Sequence, residues 1–214
     1  QESRGLGDVY KRQEYGMTRQ EGLVIENDSN YYAYRYPQTY LLPSLSSNDI
    51  TAGITDGMHV FTPVAQGIVK GDSTDDLTLT TLLSTSSTAY SMQDYAEATT
   101  AEQGANDPNG PFNIAVAASN SATGAKVVWV NCPNMLNSQM NSAVSGGNAQ
   151  LLTSAMNWMT GEENGVVIDS KSMSAETLTV PAKATMLLGL LFTIVVPLAF
   201  IVAGIAITLV RRRR

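Results

Sequence analysis

Cys132 and His59 are the one thiol and the one imidazole of the chain, so cysteine–histidine nucleophilic chemistry has a single possible pair. Cys132 follows an apolar run, Lys126-Val-Val-Trp-Val130, at a place where α/β enzymes put a nucleophile. The surrounding Trp129-Val130-Asn131-Cys132-Pro133-Asn134 lacks the small residues that a nucleophile elbow needs on either side. Cys132 therefore reads as a buried structural thiol, and a hydrolase using it is the weakest of three functional readings. His59 lies between Met58 and Val60 and reads as a packed strand residue. A metal centre needs two to four ligands, and there is no second histidine or cysteine to join it. Asp72, Asp75 and Asp76 have carboxylates at loop spacing, but the glycine and terminal glutamate of a calcium-binding EF-hand loop are missing, so a solvated loop is expected. Glu162-Glu163 reads as a solvated pair. No catalytic residue, cofactor or metal ligand is assigned.

Binding character is concentrated in Tyr31, Tyr32, Tyr34, Tyr36 and Tyr40. Tyrosine supplies contact area at low entropic cost. If the segment runs as a strand, Tyr32, Tyr34 and Tyr36 share one face. Such a face suits a partner or a saccharide, and equally a layer covering a sheet.

The elements that must carry these side chains follow from periodicity and turn chemistry. Gly22–Glu26 reads as a strand ending in an Asn27-Asp28 turn, and Met58–Thr62 as another, while Asn48 or Ser47 caps a short helix. Leu77–Ala89 alternates like a strand, and a polar loop from Asp94 closes on Asp107-Pro-Asn-Gly-Pro111. Phe112–Ala118 and Ala125–Val130 are the strongest strands and are close enough for a hairpin. A short helix is expected after Pro133. A longer one is capped by Asn148, carries the stripe Leu151, Leu152, Ala155, Met156 and Met159, and stops at Gly161. Val166–Ile168 is a last strand. Strands mixed with helices imply an α/β domain, and the hairpin implies a mixed sheet.

The C-terminus fixes compartment. Ala184 to Val210 contains no charged side chain, a run of about 27 residues against the ~20 that cross a bilayer. Arg211, Arg212, Arg213 and Arg214 then act as a stop-transfer signal that puts the C-terminus in the cytoplasm and the preceding domain outside the plasma membrane. Val180-Pro-Ala-Lys-Ala184 resembles a cell-wall sorting signal, but the Thr and Gly of Leu-Pro-x-Thr-Gly are not in place, so a retained helix is expected. Pro197 kinks that helix. Ala199 and Ala203 form a small-xxx-small pair that suits helix contact, or simply face lipid.

Between Glu14 and Ala182 the sequence has five basic residues (Arg19, Arg35, Lys70, Lys126 and Lys171) against 17 carboxylates, a balance that repels phosphate backbones and argues against nucleic acid. A lone cysteine excludes an intrachain disulfide. Residues 1–13 include Arg4-Gly-Leu-Gly-Asp-Val-Tyr-Lys-Arg-Gln13, which resembles a translated sequencing adapter and is expected to be non-native and unpacked. No leader precedes the domain, so the chain is expected to be the C-terminal portion of a longer protein. The expected division is 14–169 for the domain, 170–183 for a tether, 184–210 for the membrane helix and 211–214 for the basic tail.

Residues 20–214 resemble the C-terminal part of the GldG-like auxiliary proteins of gliding-motility ABC transporters. The resemblance lies in Gly22-Leu-Val-Ile-Glu-Asn27, Tyr40-Leu-Leu-Pro43, Asn48-Asp-Ile-Thr51, Phe61-Thr-Pro63 and Gly110-Pro-Phe112. It continues through Lys126–Val130, Gly147-Asn148, Asn157-Trp-Met-Thr-Gly-Glu-Glu163 and the terminal span. It implies a flavodoxin-like or amidotransferase-like domain with no reaction of its own, held by its helix beside an ABC permease. It also implies an additional N-terminal span. The ATPase is expected on a separate chain, because no phosphate-binding Gly-x-x-x-x-Gly-Lys-Ser/Thr loop is present. Asn131-Cys132 stands where relatives often carry Gly-Asp, so any role of that acid is not carried here. The second reading is a free-standing surface-anchored binding protein that uses the tyrosines.

Overall fold

The computed structural model describes residues 14–33, 35–55, 57–161 and 181–212. The centre of the fold is β9 (Asn113–Asn120), five of whose residues are buried. On one side it pairs with β7 (Leu77–Ser84), on the other with β10 (Lys126–Val130). Beyond the end of β10, β6 (Ile68–Lys70) takes up the pairing through Ile68 and Asn113. β1 (Met17–Arg19) extends this side and β4 (Ser44–Leu45) the other. Two small two-stranded sheets complete the β-structure. One joins β2 (Leu23–Ile25) to β8 (Tyr90–Met92), the other β3 (Tyr40–Leu41) to β5 (Thr62–Pro63).

Every pairing among these strands is antiparallel, which corrects the expected mixed sheet. The alternation of Leu and Thr in β7 and the short turn before β10 specify strands and one hairpin. The direction of the remaining partners is set by long-range packing, which periodicity does not encode. The described strands therefore do not supply the parallel βαβ units that a flavodoxin-like outline requires. What stands is a domain of both α and β structure followed by one apolar C-terminal helix.

β9 is apolar on both faces because both are covered. Ile114, Ala115 and Ala117 join Leu82, Leu83, Val60 and Leu151 in the larger core. Val116 and Ala118 join Met17, Ile68 and Leu79 in the smaller one. The larger core is closed by Met135, in a 3-10 turn at Pro133–Leu136, and by α2 (Gly147–Thr160), with the short α1 (Ser138–Ala143) between them. Gly146, in the left-handed region, is the residue before α2, so the expected Asn148 cap is corrected by two positions. Gly161 ends the helix at φ 75°, as expected. Of the expected stripe, Leu151 and Ala155 are buried, whereas Met156 is 62% exposed and Met159 is exposed too. Asn48 closes a single turn, its Oδ1 accepting from the N–H groups of Ile50 and Thr51, in place of a short helix. Met58–Thr62 contributes only Thr62 to a strand. The expected strand at 166–168 and most of the tether lie outside the described residues.

The apolar C-terminal run is helical in two parts. α3 (Ala182–Leu190) and α4 (Val196–Arg212) are joined by a π-helical turn at Leu191–Val195. Pro197 explains the turn. It has no N–H for the carbonyl of Thr193, and its ring crowds that carbonyl. The helix widens just before it, and Val196 N–H donates to Leu191 O, five residues back. The expected kink site thus takes the form of a π bulge. Lys183–Ile207, 25 residues, is long and apolar enough to cross a membrane and is nowhere buried against the domain.

Candidate functional site

Among the described tyrosines the chain turns instead of running as a strand. Arg35 adopts φ 66°, and Tyr36 N–H donates to Ala33 O. Tyr32 bridges to Leu41, while Tyr36 folds over so that its ring stacks on Tyr40 at 5.2 Å and meets Phe61 edge-on at 6.0 Å. Tyr32 and Tyr36 therefore do not share a strand face, and Tyr34 lies outside the described residues. Tyr36 remains 50% exposed. Beneath the turn, Ala33, Leu42, Phe61 and Val144 form a small buried cluster with Tyr40 and Met140 against it.

Phe61 is fixed by a residue whose role the sequence did not disclose. Asn148 is buried, with Oδ1 accepting from Phe61 N–H at 2.8 Å and Nδ2 donating to Phe61 O at 2.9 Å and Met135 O at 3.0 Å. Beside it, a Cβ on Gly147 would collide with His59 O, so only glycine permits the start of α2 to approach this backbone. The tyrosine turn thus rests on Phe61, Phe61 on Asn148, and Asn148 on α2.

The same turn reaches the apolar C-terminal helix. Ala33, itself buried, forms an antiparallel bridge with Pro181, the residue immediately before α3. Pro181 O then accepts from Thr185 N–H in the first helical turn.

Cys132 is buried, and its thiol donates to Pro63 O at 3.2 Å. Burial pushes its pKa from the ordinary 9.0 up to about 11, opposed in part by hydrogen bonds from the backbone at Met135 and Asn134. At neutral pH it is a thiol, and the thiolate is the nucleophilic form. His59 is half-buried, and its carbonyl packs on Gly147. Asp72, Asp75 and Asp76 are exposed, and the loop around them is closed by Ser73 Oγ and Thr74 Oγ1 accepting from Leu79 and Leu77 N–H. Among the described residues no three His, Cys, Asp or Glu side chains converge to hold a metal ion.

Two further polar features escaped sequence reasoning. Glu26 is fully buried, and its carboxylate accepts from Ser86 Oγ (2.6 Å), Ser86 N–H (3.0 Å) and Asp28 N–H (2.9 Å), tying the end of β2 to the β7–β8 connection. The loop after β8 frames an open pocket of about 300 Å³ bordered by Asp94, Glu97, Glu102 and Asp107. Asp107 is already committed, accepting from Gln93 and Gly104 N–H. Burial, then the charges of Asp107 and Glu102, raise the pKa of the adjacent Tyr90, whose hydroxyl donates to Ala101 O.

In the C-terminal helix Ala199 and Ala203 fall on α4, both exposed, and Arg211 and Arg212 complete its last turn. Arg213 and Arg214 lie outside the described residues.

No protein-family model matches the chain, and neither does any curated protein. Among solved structures, the fold is similar to the mmIFT52 N-terminal domain at 15% identity and a TM-score of 0.49, over 73% of this chain and 59% of that one. The chain thus spans less than two thirds of that domain's length. At this score the likeness carries no weight for function.

Proposed function

We propose that the chain is a non-catalytic, membrane-anchored auxiliary subunit of an ABC transport system. Its domain lies outside the plasma membrane, its C-terminus is cytoplasmic, and its helix packs beside a permease whose ATPase is a separate chain. The observation that carries the reading is the Lys183–Ile207 helix, nowhere buried against the domain and bridged through Pro181 to an acidic domain. An apolar helix that the described residues of the domain do not bury can pack against lipid or another span, and Ala199 and Ala203 allow close approach on α4. The buried, protonated Cys132 supports a role without thiol chemistry. The ABC assignment itself comes from the GldG-like resemblance; the proposal takes from it the membrane arrangement and not the flavodoxin-like sheet.

The test is co-purification in mild detergent from the native membrane, followed by mass spectrometry. Permease and ATPase should follow the chain, and Ala199→Leu with Ala203→Leu should reduce their recovery severalfold while leaving the chain in the membrane. Purification of the chain alone would favour the second reading, a free-standing surface-anchored binding protein. That reading is supported by the half-exposed Tyr36, held ready on Tyr40 and Phe61.

A further inference from the structure

We propose that the tyrosine turn is a membrane-interface anchor: Tyr32 and Tyr36 sit in the phospholipid headgroup layer beside the start of the membrane helix. This rests on the reading of Lys183–Ile207 as a transmembrane span. At ~1.5 Å per residue that span is about 37 Å long, against ~30 Å of hydrocarbon, so about 4 Å projects at each end. Pro181 lies two residues further out, about 7 Å from the hydrocarbon edge, within a headgroup layer of roughly 5–8 Å per leaflet. The bridge brings Ala33 to within about 5 Å of Pro181. Tyr32 is the next residue, and Tyr36 is hydrogen-bonded to Ala33 through its own N–H. The bridge therefore holds the turn beside the interfacial zone, within a few ångströms of Pro181's level.

The side chains suit that zone. Tyrosine is favoured there because its ring is apolar and its hydroxyl is wet. Half of Tyr36 faces outward although it stacks on two other aromatic rings, a costly exposure in water that a headgroup layer relieves. Lys183, exposed in the first turn of α3, adds a cation at the same level, where its chain can snorkel. The occupant is lipid and not a soluble ligand, because the patch is continuous with the span through Pro181.

The test uses the full chain in phosphatidylcholine nanodiscs, spin-labelled singly at Tyr32→Cys, Tyr36→Cys, Ser121→Cys and Leu198→Cys. Cys132 is left in place because it is buried. Ser121 is the aqueous reference: it lies in the hairpin turn before β10, and the Cys132–Pro63 contact that leads to β3 lies past the other end of that strand. Leu198 reports the span. The expected result is a nickel-chelate accessibility at Tyr32 and Tyr36 severalfold below that at Ser121, with Leu198 lower still and oxygen-rich. If Leu198 is deep but Tyr32 and Tyr36 match Ser121, the anchor is overturned and the span stands. A Leu198 label open to the chelate overturns both. Because labelling removes the tyrosines themselves, the unmodified chain is measured as well. Gadolinium carried on a lipid headgroup should broaden the Tyr32 and Tyr36 amide resonances well before that of Ser121, and equal broadening overturns the anchor.

Discussion

At Cys132, removal of the sulfur from water outweighs the backbone hydrogen bonds that would favour its charge, and the thiol titrates near 11 instead of 9.0. The sign for stability follows. Between those two values the folded state holds a proton that the unfolded state has lost, so stability is complete below about pH 9 and falls as pH rises toward 11. Denaturation midpoints measured from pH 8 to 11 should fall in the native chain, and Cys132→Ala should flatten that slope. A disulfide-exchange reagent at pH 7.5 should react with Cys132 only after denaturant is added, and rapid reaction with the folded chain would refute the buried thiol. Asn148 is a second residue whose role is set by its surroundings. Its amide meets two carbonyls and one N–H, so Asn148→Asp would set an acceptor against Phe61 O and Met135 O. A loss of roughly 2–4 kcal/mol is expected in urea denaturation at pH 7, larger than for a surface Asn→Asp change. From sequence, Asn148 reads as a helix cap because it stands next to glycine ahead of an apolar stripe. The same hydrogen-bonding groups instead reach 87 residues back along the chain, which no local pattern reports.

Elements were legible where local signals agree. The β9–β10 hairpin has β-branched residues on both sides of a short polar turn, and α2 ends where Gly161 supplies a positive φ. Strand direction was less legible, as was the tyrosine segment, where a single positive-φ arginine turns an apparent strand back on itself. The helix stripe was half right: i, i+4 spacing identifies a face, but the width of that face depends on what lies opposite, and nothing described covers Met156. In the apolar C-terminal helix the position of Pro197 was enough to locate the break. Replacing it restores the missing N–H, so Pro197→Leu should convert Leu191–Val195 to α geometry. One residue fewer is then spent in the turn, and the distance between spin labels at Leu188 and Ile205 should lengthen by about 1.5 Å. An unchanged distance would mean the π turn has another cause.

At the scale of the whole molecule the sequence joins two stretches of opposite character. The domain is strongly acidic, and the terminal helix carries no carboxylate. An alkaline carbonate wash should leave the chain with the membrane pellet, because an apolar helix of 25 residues is not held by charge. A chain stopped before Pro181 should appear in the supernatant, and its retention would indicate a second membrane attachment in the domain.

The bridge between Ala33 and Pro181 also has a mechanical side. A flexible tether would let the domain drift whatever the helix does, but a backbone pairing at the helix entrance couples the two like a lever, whose fulcrum on the proposed transmembrane reading is the bilayer surface. On the proposed transmembrane reading the helix is several ångströms longer than the ~30 Å hydrocarbon layer, an excess that projects at its ends in a bilayer of that thickness and is taken up by tilting in a thinner one. On that reading, thinning the bilayer should tilt the helix and swing the domain with it, so lipid composition should set which flank of the domain faces its neighbours.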